Sequence, residues 1–141
     1  MRRSTSRNAR SDCPISIALE ILGDSWSLLI IRDLMFKERK TFKDFLEAEE
    51  TIASNVLTER LRRLEAAGLV SKRPDPTDAR RSNYFLTDTG IDLAPVVVEL
   101  VLWSARHFKT AAPEAALKKM TQHRAKFLRD LRNRLRRQSA G

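Results

Sequence analysis

Between Ser54 and Leu86 the apolar positions change period. Leu57, Leu61 and Leu64 recur at the offsets of one helical stripe, which turns Asn55, Thr58, Glu59 and Arg62 away from the core. Gly68 supplies a helix stop, and beyond it two short runs, Leu69 to Arg73 and Ser82 to Leu86, read as strands. Pro74, Asp75, Pro76 and Thr77 enforce a turn between them, with Arg80 and Arg81 near its tip. A helix followed by a basic hairpin predicts a winged helix-turn-helix, and its outward helix face is what a DNA major groove could meet.

The preceding segments read as helices that support this unit. Cys13-Pro14 opens the first, with Asp12 or Cys13 at the cap and proline at the favoured first helical position. Ile17, Ala18, Ile21 and Leu22 form its buried stripe, and Gly23 ends it. Asp24 or Ser25 caps a second helix with Trp26, Leu29, Ile30 and Leu34 on one face. Thr41 is a good N-cap for a short helix, Phe42 to Ala48, the first of the helix-turn-helix. The turn 49–53 follows, anchored by Ile52. In this geometry the N-terminal residues of the second helix meet base edges, which makes Ser54, Asn55 and Thr58 the candidate readers. Arg60, Arg62 and Arg63 suit phosphates or a guanine, as Asn suits adenine. For any one of these residues taken alone, a solvated helix face is the competing reading. The wing candidates are Lys72, Arg73, Arg80 and Arg81. Asp78 is close enough in sequence to hold one tip guanidinium in a bidentate pair, aiming it at a narrow minor groove.

Thr87 caps a long helix that is apolar round much of its surface, with Pro95 either tolerated in its first turns or bending it. Leu93, Val96, Val97, Leu100, Val101, Trp103 and Phe108 exceed what one domain face covers, so the pattern predicts a second copy about a twofold axis. Pro113 opens a final helix with a narrow stripe (Leu117, Met120, Phe127, Leu128, Leu131, Leu135) and a basic opposite side. Three readings compete for it: an arm around the dimer partner, which is favoured, a DNA-backbone contact, and a membrane-surface helix.

Charge sharpens where the evidence for nucleic acid lies. The 141 residues carry a net charge of +9, but residues 1–13 hold four arginines and one aspartate, and residues 113–141 hold nine bases and two acids. The 14 bases and 15 acids between them leave the globular part nearly neutral. Within residues 60–81, however, seven bases face three acids, at the proposed reader. The organisation expected is a flexible basic arm (1–12), a winged-helix domain (13–110) and a basic C-terminal helix and tail (113–141).

No apolar run approaches the roughly 18 residues of a membrane span, and no hydrophobic signal region follows Arg2-Arg3, so a cytoplasmic protein without membrane contact is expected. One cysteine excludes an internal disulfide and a multi-thiolate zinc site; neither metal nor cofactor is expected. Cys13 at a helix N-terminus feels the positive end of the macrodipole, which favours nucleophilic chemistry; the other reading is a cysteine that merely packs. No carboxylate pair, nucleophile with base or phosphate-cradling glycine loop points to an enzyme. A winged-helix module that binds another protein is the remaining alternative, and the basic 60–81 segment counts against it.

The blocks CPISIALEILGDSWSLLIIRDL, TFKDF, IASNVLTERLRRLEAAGLV and YFLTDTG, in that order, resemble the HxlR-type family of transcription regulators over roughly residues 13–108. The resemblance implies a homodimer built on the first and last helices of the domain, with the helix 53–67 and the wing on double-stranded DNA. It implies a sequence-specific regulator, read as a repressor, on a near-palindromic operator. In some members a cysteine matching Cys13 senses electrophiles or oxidants, and the effector of this chain is left open. The wing PDPTDARRSNYFLT is more similar to the MarR-type wing, and the chain beyond Pro113 exceeds the usual family length.

Overall fold

The computed structural model describes residues 9–140. The expected arm therefore falls largely outside the described residues; at its inner end Arg10 donates to Glu20 at 2.8 Å. Eight helices and a two-stranded antiparallel sheet follow among the described residues: α1 (Pro14–Leu22), α2 (Ser27–Phe36), α3 (Phe42–Leu46), α4 (Ser54–Ala66), β1 (Val70–Pro74), β2 (Ser82–Leu86), α5 (Asp88–Ile91), α6 (Ala94–His107), α7 (Glu114–Gln122) and α8 (Arg124–Ala140). The fold is mainly α with a small β-wing, as the periodicity predicts. No single described helix is long and apolar enough to cross a membrane.

The main core is built from the inner faces of α2 and α4, closed by the wing root, α5, the start of α6 and α8. Leu57, Leu61 and Leu64 are all buried in it, each contributing about 1.5–3 kcal/mol of transfer free energy. Helix α4 ends in a Schellman motif: the N–H of Leu69 donates to Leu64 and that of Gly68 to Glu65, both at 3.0 Å. Gly68 has φ 80°, a left-handed conformation that a side chain disfavours, and it turns the chain directly into β1.

The wing pairs Val70 with Leu86, Lys72 with Tyr84 and Pro74 with Ser82. Its outer edge is tied to the loop before α3, where the N–H of Tyr84 donates to the carbonyl of Lys40 at 2.7 Å and the Tyr84 ring meets Phe45 edge-on. At its root the Thr87 hydroxyl donates to Gly68 and accepts from the N–H of Gly90. Gly90 lies so close to the Leu69 carbonyl that any Cβ would stand 2.2 Å from that oxygen. Wing and α4 are thus one packed unit.

Three elements differ from expectation. The α1 stripe is not buried: Ile17, Ile21 and Leu22 are half-covered, Ala18 is exposed, and Ile15 is 71% exposed. The reason is position, since α1 lies at the rim with α2 as its main packing partner. The long helix after Thr87 is interrupted at Asp92-Leu93. Pro95 lacks the N–H a helix interior needs, so the chain closes α5 and restarts, leaving Pro95 in the first turn of α6.

The C-terminal helix is also two, broken at His123, and it is not a separate tail. Met120 on α7 packs with Val98 and Leu102 of α6, while Leu131 and Leu135 of α8 join the main core beside α2, α5 and β2. The stripe read as an arm for a partner is spent on an open side of its own domain. Ion pairs follow it: Arg124 with Glu99 (2.6 Å), Arg132 with Asp92 (3.5 Å) and Arg136 with Asp88 (3.5 Å).

Candidate nucleic-acid interface

A helix can enter a groove only if its other face is held. Helix α3 starts with a capping box in which the Thr41 hydroxyl accepts from the N–H of Asp44 and the Asp44 carboxylate accepts from that of Thr41, both at 3.1 Å. Phe45 is fully buried beneath it. The turn to α4 places Thr51 at φ 55°, a left-handed conformation uncommon for a β-branched residue. Ile52 then anchors the turn in the core.

That turn is fastened to α2 by charges. Asp33 is 3% exposed, and its Oδ1 accepts from Arg32 Nε (3.0 Å), Arg32 Nη2 (2.8 Å) and Arg39 Nη1 (2.8 Å). Arg32 continues to Glu50 in a two-pronged pair at 2.7 and 2.9 Å, and Arg39 reaches Glu49 at 3.1 Å. Hydrogen bonding from Arg32 holds the Glu50 carboxyl down at about 2, against an ordinary 4.5. Sequence reasoning missed this network. Its one legible signal is Asp33 itself, an acid set between Ile30-Ile31 and Leu34-Met35 on an apolar stripe.

On α4 the exposed residues include Ser54, Asn55, Thr58 and Arg62, at spacings that share one face. The N-cap is Ala53, whose side chain bonds nothing, so the first N–H groups of α4 point outward without a side-chain partner. The Thr58 hydroxyl donates to the carbonyl of Ser54 at 2.9 Å. The other two arginines of the helix point elsewhere. Arg60 is only 22% exposed, in contact with Glu59 and with its Nε 3.3 Å from Asp24, close enough for an ion pair but without a well-aligned hydrogen bond. Asp24 caps α2 by accepting from the N–H groups of Trp26 and Ser27 and from the Ser27 hydroxyl. Burial works to raise the Asp24 carboxyl, and these bonds with Arg60 outweigh it and hold it below its ordinary value. Arg63 donates to the carbonyl of Glu20 at 3.2 Å, joining α4 to α1.

On the wing, Lys72, Arg80 and Arg81 are exposed. Asp78 holds Arg80 through Nε to Oδ1 at 3.1 Å and Nη2 to Oδ2 at 3.3 Å, the bidentate pair expected from their spacing. At 91% exposure of the arginine this pair adds little stability, but it directs the guanidinium. Arg73 is turned away from the tip: it lies over the Phe85 ring and donates to the carbonyls of Ser139 (2.6 Å) and Gln138 (2.8 Å) at the end of α8. The exposed Cys13 stands at the N-cap of α1.

Comparison with known proteins follows the same outline. A family model described as HxlR-like helix-turn-helix matches residues 21–112. The chain is 34% identical over 106 residues to Mb3122 of Mycobacterium bovis, named an HTH-type transcriptional regulator, covering 75% of this chain and 65% of that protein. The match thus spans just under two thirds of the length of the first curated relatives. Among solved structures, PA1607, described as a candidate transcription factor, superposes with a TM-score of 0.67 at 30% identity, over 77% of this chain and 75% of that one. The reduced form of the transcriptional regulator YodB of Bacillus subtilis does so with a TM-score of 0.57 at 31% identity, over 69% and 95%.

Proposed function

The chain belongs to the HxlR-like helix-turn-helix family, and on that premise we propose that it is a sequence-specific DNA-binding transcriptional regulator. It acts as a repressor in the cytoplasm, as a homodimer on a near-palindromic operator. The observation that carries this reading is the face of α4: Ser54, Asn55, Thr58 and Arg62 project together from a helix whose opposite face is locked in the core. Beside it the wing presents Lys72, Arg80 and Arg81. The roles divide by chemistry: Asn55 reads a base edge, Ser54 and Thr58 contact edges or phosphate, and Arg62 takes phosphate or a guanine. Arg80 enters the minor groove in the direction Asp78 sets. Arg60, Arg63 and Arg73 hold the reader in place instead of touching DNA.

Gel-shift titration against duplexes selected from a random pool tests this division. Asn55→Ala is expected to flatten the ranking of duplexes by about 1–3 kcal/mol at one position per half-site. Arg80→Ala is expected to weaken all duplexes about equally and to reduce the salt slope by about 1. Equal affinity of the parent for every duplex would remove the specific-regulator reading, and exchanged phenotypes would reverse the two roles.

A dimer is supported by apolar surface that one chain leaves open: Ile15 and Leu19 on α1, and Val96, Leu100, Trp103 and Phe108 on and after α6. Cys13, exposed at the head of α1, is the thiol through which an oxidant or electrophile acts on the regulator. YodB, similar in fold, has been solved reduced, diamide-treated and quinone-bound. Alkylation of the thiol by N-ethylmaleimide, which adds the sulfur across its double bond, is expected to release operator DNA from the parent and not from Cys13→Ser; equal behaviour of the two proteins would exclude the thiol.

A further inference from the structure

The family match ends at residue 112, so helices α7 and α8 lie beyond the matched domain. Together with the end of α2 they line a cleft. Its floor is apolar: the Phe36 and Phe127 rings lie 6.5 Å apart, inclined by 31°, with the buried Leu131 beside them. Its rim is cationic, with Lys119 from α7 and Lys126, Arg134 and Arg137 from α8. Asp130 is the one acid of the lining, and Lys126 already occupies it at 2.6 Å. Among the described residues, Lys119 and Arg137 have no carboxylate within 4.0 Å.

We propose that this cleft binds a small organic anion, a carboxylate or sulfonate carried on an aromatic body. The rings of Phe36 and Phe127 offer edges and faces to an aromatic body, and a few convergent polar groups over an apolar floor are what fixes such a ligand. The anion meets the cationic rim, in which Lys119 and Arg137 lack a carboxylate partner among the described residues, and charge-assisted hydrogen bonds from that rim exclude an uncharged analogue. Free phosphate or a DNA backbone would satisfy the cations but leave the aromatic floor unused. Occupancy bears on the reader through α8. Arg134, on the cleft wall, donates to the carbonyl of Met35 at 2.9 Å at the end of α2, and the last carbonyls of α8 hold Arg73 of the wing. A ligand seated against α8 therefore presses on the helix that positions β1.

The binding claim stands apart from the DNA reading and is tested without DNA. Full-length protein is titrated with anilinonaphthalene sulfonate, followed by its fluorescence, with uncharged N-phenyl-naphthylamine as the matched control. The expected result is saturable binding of the sulfonate, weakened about 10-fold in Lys119→Glu/Arg137→Glu, with the control dye unaffected by the double change. Both residues are exposed, and an unchanged melting temperature shows that the variant is folded. Undiminished sulfonate affinity in the double variant, or parent affinity for the neutral dye equal to that for the sulfonate, overturns the proposal. So does a double variant that loses duplex affinity while keeping the dye, because the rim would then be a phosphate contact.

Discussion

Asp33→Ala is expected to lower the unfolding free energy by about 3 kcal/mol, towards the lower end of the range for breaking a buried ion pair. The carboxylate is nearly inaccessible and receives three N–H donors from two arginines. Without it Arg32 and Arg39 keep only Glu50 and Glu49 at the surface, which is why the lower end applies. The change also loosens the turn that sets the entry angle of α4, so DNA affinity should fall further than stability alone explains. Urea denaturation with an unchanged m-value checks the first effect. A loss below about 1 kcal/mol would mean that the arginines relax into solvent and that the network holds nothing. Acid supplies an independent check. Glu50 titrates at about 2 folded against 4.5 ordinarily, so its contribution is complete above about pH 4.5 and is lost as pH falls towards 2. Glu50→Gln should flatten the fall of melting temperature over that window.

Leu100→Glu is expected to convert a dimer into a folded monomer and to weaken operator binding on the order of 100-fold. Leu100 is 45% exposed in the single chain, so a carboxylate there costs the monomer little, whereas in an apolar interface it would be buried unpaired. The affinity loss follows from linkage. Two readers joined rigidly act on a palindrome as one ligand, and the second half-site is then bound at a high effective concentration. Light scattering after size exclusion reads the first effect and gel shift the second. A variant that remains dimeric would move the interface elsewhere, for example to Ile15 and Leu19 of α1 alone.

Much of the reader was legible because local chemistry dictates it. The Leu57, Leu61 and Leu64 stripe, the stop at Gly68 and the Asp78–Arg80 pair depend on neighbours within a few residues, and each stands where the pattern puts it; the turn expected at Pro74 to Thr77 begins one residue later, because Pro74 still pairs with Ser82. Assigning direction to arginines was another matter. Arg60, Arg62 and Arg63 look equivalent in the chain, yet Asp24 and Glu59 take Arg60 and the Glu20 carbonyl takes Arg63. Arg73 is bound by carbonyls 65 and 66 residues away, at a distance no periodicity encodes.

The sequence by itself determined the helix-turn-helix, the wing and the outward face of α4, since amphipathic period, caps and turns are short-range preferences. Only the tertiary structure decided which arginines are engaged within the fold and where the C-terminal helix goes. Its stripe of leucines specifies that something must cover it, and whether that is a partner or its own domain depends on which apolar surface the rest of the fold leaves open. Here Leu131 and Leu135 close the core beside α2 and β2, and the chain's most basic segment becomes a strut behind the wing.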